Sequence, residues 1–157
     1  MESAAMGAKQ NEKSKSAHSP VRLDPDKIAG IDLSPGEPFI QPEDIIEGHH
    51  RPRGDILFKG DQLVMEIYED NAATYKIHEP FPVDEYVQVI SGKLVLTDSN
   101  GQVHEYTQGE SLVVPKGFTG IWSMQGNYRE LIAIDRQTYD QIYGTGQGET
   151  STESDAQ

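Results

Sequence analysis

Between residues 23 and 143 apolar and polar residues alternate in short runs, the period of half-buried strands. "DILFKG" (55–60) and "LVMEIYED" (63–70) predict two strands joined at Gly60-Asp61. "ATYKIHE" (73–79) alternates as well. "EYVQVIS", "KLVLTD", "QVHEYT", "SLVVP", "GIWSMQ" and "YRELIAID" follow, up to Asp135. Turn signals separate them at intervals of about eight to twelve residues, which predicts an all-β sandwich or barrel. Asn100-Gly101 predicts a two-residue type I′ hairpin, since both residues tolerate positive φ. "RQTYDQIYG" (136–144) predicts a terminal helix ending at Gly144, and "QPEDIIEG" (41–48) a helical turn.

Side-chain parity sorts these strands into faces. Glu85, Val87 and Val89 share one face; Tyr86, Gln88 and Ile90 share the other. Gly120, Trp122 and Met124 lie together. In 73–78 the two faces disagree in character. Hydrophobicity alone turns Tyr75 and Ile77 inward. The opposite arrangement turns Lys76 and His78 inward, where they would line a polar cavity and need Glu85 as partner, because a buried unpaired charge is costly.

Composition narrows the function. Residues 1–22 and 144–157 are polar and small, so both are expected to be disordered tails around one domain at 23–143. The 157 residues contain no cysteine, which excludes disulfides, thiol catalysis and cysteine zinc sites. The formal net charge of −13, with basic clusters only at "KQNEKSK" and "HHRPR", argues against nucleic acid as partner. The apolar runs are too short for a membrane span. No secretory leader pattern stands at the start, and a cytoplasmic location is the expectation. No internal repeat, nucleophile elbow, phosphate loop or dinucleotide fingerprint is present. "GHHRPRGD" (48–55) reads as a solvated loop, because adjacent histidines on extended chain point to opposite sides. Asp84 reads as a turn acid, and Arg129-Glu130 as a surface or interface pair.

The spacing of turns and acids across 55–135 resembles the cupins. Glu85 stands six residues before Gly92, as in the first cupin motif; counting back puts the two histidine places on His78 and Pro80. Gly109, followed by "PKG" at 115–117, matches the second motif, whose histidine and asparagine places fall on Gly120 and Met124. The wording "DEYVQVISGKLVLTD…PKGFTGIW" is similar to the cupin branch that includes ureidoglycine aminohydrolase and the ethanolamine-utilisation cupin.

The resemblance implies a single jelly-roll β-barrel with a small-molecule site inside. It implies Lys76, His78, Glu85, Trp122 and Met124 as ligand-binding residues, with Lys76 and Glu85 as acid–base candidates. His78 and Glu85 keep two of four metal places, so a weakly held divalent ion (iron, manganese, nickel or zinc) is one reading and a metal-free pocket another. The substrate implied is small, polar and nitrogen- or carboxylate-bearing, and the chemistry hydrolysis or isomerisation. The alternative is a non-catalytic binding or accessory module. Tyr75, Ile77, Tyr86 and Ile90 on an outer face would favour a homodimer.

Overall fold

The computed structural model describes residues 18–144, so the expected tails lie almost wholly outside the described residues. A short helix α1 (Pro25–Ile28) precedes nine strands, and a helix α2 (Arg136–Tyr143) follows them. The strands are β1 (Ser34–Pro35), β2 (Ile45–Gly48), β3 (Arg53–Lys59), β4 (Leu63–Asp70), β5 (Ala73–Ile77), β6 (Glu85–Asp98), β7 (Val103–Thr107), β8 (Ser111–Val114) and β9 (Gly120–Asp135).

Two strands are twice the usual length, and they make the architecture. β6 and β9 pair antiparallel from Tyr86↔Ala133 to Asp98↔Gly120, with register shifts between Val89 and Lys93. Irregularities there bend both strands, so each half joins a different sheet. The first sheet runs β1-β3-β4, then the end of β9, the start of β6, and β8. The second runs β2-β5, then the start of β9, the end of β6, and β7. The two sheets face each other as a jelly roll, as the alternation predicts. Val87, Val89, Leu94, Met124 and Tyr128 fill the space between them, each at most 2% exposed.

Three local expectations need correction. The 98–102 turn is not type I′: of Asn100 and Gly101 only Gly101 has positive φ, 80°. The Asp98 carboxylate accepts from the backbone N–H of Asn100 (2.9 Å) and Gln102 (3.0 Å), which holds Asn100 in the ordinary region and leaves the left-handed step to glycine. In "QPEDIIEG" only Pro42–Asp44 is helical, a single 3₁₀ turn, and Ile45–Gly48 becomes β2 because it finds β5 as a partner. On β5 hydrophobicity decides: Tyr75 is 2% exposed, Ile77 packs on the core, and Lys76 is exposed. Turning an apolar pair inward gains burial, whereas turning Lys76 inward would strip an ammonium of water. Tyr75 and Ile77 are therefore absent from the outer face; Tyr86, 39% exposed, remains there.

Candidate functional site

The alternation that builds the sheets also carries acids inward. On β4, Val64, Glu66, Tyr68 and Asp70 share the inner face; on β9, Tyr128, Glu130, Ile132 and Ile134 do. Cross-strand pairing sets Glu66 against Ile132, and Tyr68 against Glu130. On β6, Glu85 precedes Val87 and Val89 on the same inner face. These strands wall a cavity of about 700 Å³ between the sheets. Tyr75 and Trp122 line it from the second sheet, Phe39 and Ile40 from the segment before β2, and Tyr139 and Tyr143 from α2. Phe81 stacks on Trp122 at a centroid distance of 6.1 Å and 11° between planes, making one aromatic wall.

The electrostatics follow from crowding acids where water is scarce. Burial raises the Glu85 carboxyl well above the usual range, and the charges of Glu130 and Glu66 raise it further. Burial raises Glu130 to about 7, against a hydrogen bond from Tyr128 that lowers it and the Asp70 charge that raises it. Burial raises Glu66 too, offset by a hydrogen bond from Tyr139. The phenols move the same way: burial raises Tyr68 and Tyr128 far beyond the ordinary phenol range, and Tyr139 to about 12. The cavity therefore holds hydroxyls that stay protonated beside carboxyls that hold their protons more tightly than usual, Glu130 up to about 7. Such a set can bind a ligand and move a proton on it.

Beneath the cavity lies a second acid with the opposite character. Asp70 is fully buried and accepts from the hydroxyls of Tyr68 and Tyr75 (both 2.6 Å) and from the backbone N–H of Arg51 (2.8 Å) and Asn71 (2.7 Å). His50 Nδ1 lies 2.7 Å from Asp70 Oδ2. The backbone N–H of Phe39 donates to His50 Nε2 at 3.0 Å, so Nδ1 carries the proton and donates to Asp70. Burial alone would raise Asp70, but these hydrogen bonds, led by the two tyrosines, hold it below the ordinary value.

The expected site residues divide. Glu85 and Trp122 line the cavity. Met124 is in the core behind the wall, 2% exposed. Lys76 is on the outer face opposite Ile121. His78 lies just past the end of β5 with its side chain 48% exposed, its Nδ1 3.0 Å from Asp44. Neither Lys76 nor His78 meets Glu85, because the strand that carries them turned its apolar face inward. The four-ligand metal set implied by the resemblance does not fit this chain. His78 and Glu85 are on opposite sides of the wall, and Pro80 carries no donor. Gly120, at the other histidine place, has φ 151°, and a Cβ there would run into the Thr97 carbonyl oxygen. Among the described residues no group of three or more His, Asp or Glu is arranged to hold a metal ion.

Sequence reasoning missed Glu66, Glu130 and the His50–Asp70 pair. Glu130 was legible: continuing the parity of Trp122 and Met124 through Tyr128 turns Glu130 inward and only Arg129 outward, where it meets Glu69 at 2.7 Å. His50, with its side chain 2% exposed, corrects the solvated-loop reading for that residue; His49 is exposed. Asp84 is a turn acid as expected, accepting from Lys116 N–H at 2.8 Å.

Solved structures with this fold include a protein of unknown function from Pseudomonas syringae (24% identity, TM-score 0.58, 65% of this chain and 43% of that one). They also include the Clostridium difficile EutQ protein (18% identity, TM-score 0.52, 73% and 91%) and the polyketide cyclase RemF of Streptomyces resistomycificus (17% identity, TM-score 0.52, 67% and 75%). The chain thus spans less than half the length of the Pseudomonas protein. At these identities the likeness is one of fold. No curated protein sequence matches the chain. No helix among the described residues is long and apolar enough to cross a membrane. Residues 59–130, which contain β4 to β8 and most of β9, match the EutQ-like cupin domain, and the jelly roll around them is of the cupin type.

Proposed function

We propose that this protein binds a small organic molecule in the barrel cavity and that Glu85 and Glu130 exchange a proton with it. The observation that carries this reading is the carboxyl pair itself. Both line the cavity, Glu130 raised to about 7 and Glu85 raised well above the usual carboxylate range, and no cation among the described residues neutralises them there. A protonated carboxyl donates to a developing oxyanion, and its ionised neighbour accepts a proton, which is the division of labour isomerisation and hydrolysis need. The hydroxyl protons of Tyr68 and Tyr139 go to Asp70 and Glu66, so these phenol oxygens meet the ligand as acceptors. No step runs through a metal, and Lys76 and His78 have no part in it. Hydrolysis of a nitrogen-bearing substrate, as in ureidoglycine aminohydrolase, rests on the sequence resemblance alone. The same fold serves a polyketide cyclase and a EutQ protein, so the fold does not choose the reaction.

Trp122 is the sole tryptophan and lines the cavity, so its emission reports ligand entry. A metabolite library screened by Trp122 fluorescence and thermal shift yields ligands, and product detection by NMR then separates turnover from binding. Turnover that survives in His78→Ala and is lost in Glu85→Gln and Glu130→Gln supports the reading. A library in which nothing shifts Trp122 or the melting temperature overturns it.

The second reading is a non-catalytic binding module that acts as a dimer. It is favoured by the outer face of the first sheet, where Val113 (59% exposed) adjoins Tyr86 (39%) across the β6–β8 ladder, with Ala133 on the far side. An apolar row of this kind is commonly covered by a second copy. Sedimentation of wild type against Val113→Glu tests it: a monomer in both removes the dimer.

A further inference from the structure

The charge balance of the cavity narrows the ligand, granted that the cavity is the binding site. Glu66, Glu85 and Glu130 come from three strands and meet in one enclosure. Arg53 is the single basic residue on the lining, and its guanidinium is already 2.7 Å from Glu69. The Glu85 carboxyl has no hydrogen-bond donor from the described residues, whereas Tyr139 serves Glu66 and Tyr128 serves Glu130. Glu85 is half-buried against a largely apolar lining, and a carboxyl there without donor or counter-charge is costly to ionise unless a ligand completes it. The lining also includes Ser34, Glu37 and Asp55, the last already engaged by Lys27 (3.0 Å) and by the Ser34 hydroxyl (2.6 Å). Most of the remainder is aromatic and aliphatic, with Phe39, Phe81 and Trp122 beside Tyr68, Tyr75 and Tyr139.

We propose that the ligand of this cavity is an organic cation, an ammonium group carried on a hydrocarbon or aromatic body, with the positive nitrogen at Glu85, Glu130 and Glu66 and the body against the Trp122–Phe81 wall. The ammonium supplies the counter-charge the three carboxyls lack, and its N–H or polarised C–H groups supply the missing donor at Glu85. Aromatic walls reinforce the choice, since ring faces attract cations and pack against the ligand's apolar part. An anionic ligand would meet three acids of its own sign, and a neutral one would leave Glu85 uncompensated. The cation also displaces protons from the acids, so binding tightens as pH rises toward the point where all three are ionised.

Two shape-matched series that differ in charge test this on the full chain. One is phenethylammonium, phenethyl alcohol and phenylacetate; the other is choline and its neutral carbon isostere neohexyl alcohol. Affinity is read from Trp122 fluorescence at about pH 6 and about pH 8, a range across which choline keeps its charge, so any pH effect belongs to the protein. The expected result is that each cation binds at least about tenfold more tightly than its partners. Choline tightens at the higher pH, and Glu85→Gln and Glu130→Gln each lose about tenfold. Both substitutions remove a buried charge and keep the shape, so folding is not at risk, and each variant's melting temperature is measured alongside. Alcohols or phenylacetate binding as well as the cations, or cation binding unmoved by both variants, overturns the cation while leaving a small-molecule cavity in place. Failure of every probe and of the metabolite library removes both.

Discussion

Asp70 and the Glu85–Glu130 pair are acids of the same interior, Asp70 and Glu130 buried and Glu85 half-buried, yet they are held in opposite states. Asp70 receives five donors, from two phenols, two backbone N–H groups and one imidazole, and stays ionised. Glu130 receives one, from Tyr128, and Glu85 none from the described residues, and both are pushed up. Burial acts on all three in the same direction. The number of donors decides the outcome, because each hydrogen bond to the charged form offsets part of the lost hydration. A fully served acid is structural, and an under-served acid is poised to take or give a proton.

The difference is broken most severely at Asp70. Asp70→Asn leaves Tyr68, Tyr75 and His50 competing for one neutral acceptor, and should cost about 3–5 kcal/mol in urea denaturation. A loss below about 1 kcal/mol would show that the network adds little. His50→Ala comes next, at about 2–3 kcal/mol, since it leaves the Phe39 N–H unserved, removes one donor from Asp70 and opens a void. The same variant should loosen the segment around Phe39, read as faster amide exchange there.

The pH dependence of stability separates the two acids by sign. Asp70 has a folded value below 3.8, so its stabilisation is present above that pH and is lost as pH falls through the folded value. Glu130 has a folded value of about 7 against an ordinary 4.5, so its protonated form stabilises below 4.5, and that contribution is lost as pH rises toward 7. The protein without ligand should therefore be most stable in mildly acid solution. Glu130→Gln should raise the melting temperature by a few degrees above about pH 7 and leave the acid limb unchanged. An alkaline limb that keeps its slope in Glu130→Gln would assign it to another group. The smallest effect is expected at His78→Ala, within about 0.5 kcal/mol and without change in ligand affinity, since the pair with Asp44 is solvent-screened.

Several of these features were legible in the sequence. The strands follow from alternation, and α2 was visible from its end at Gly144 and its cap, where Asp135 accepts from Thr138 N–H at 2.8 Å. Glu85 and Trp122 were placed on the inner face by parity and by the motif count. The error at Lys76 and His78 came from letting a motif register outrank burial on a strand whose odd residues, Tyr75 and Ile77, are the apolar ones. Glu130 was missed by treating 128–135 as a new strand, when β9 continues its parity through the bend.

The sequence by itself determined an all-β domain, its turn positions and which residues on each strand share a face. Those are consequences of local geometry: side chains alternate, and glycine, proline and asparagine mark where chains reverse. Only the tertiary structure decided which face of β5 is inside, that Gly120 has no room for a side chain, and that Asp70 gathers donors from His50, Arg51, Tyr68 and Tyr75. It also decided that three glutamates from β4, β6 and β9 share one enclosure. Donor count and charge neighbours depend on strands far apart in sequence, and with them the difference between a structural acid and a reactive one.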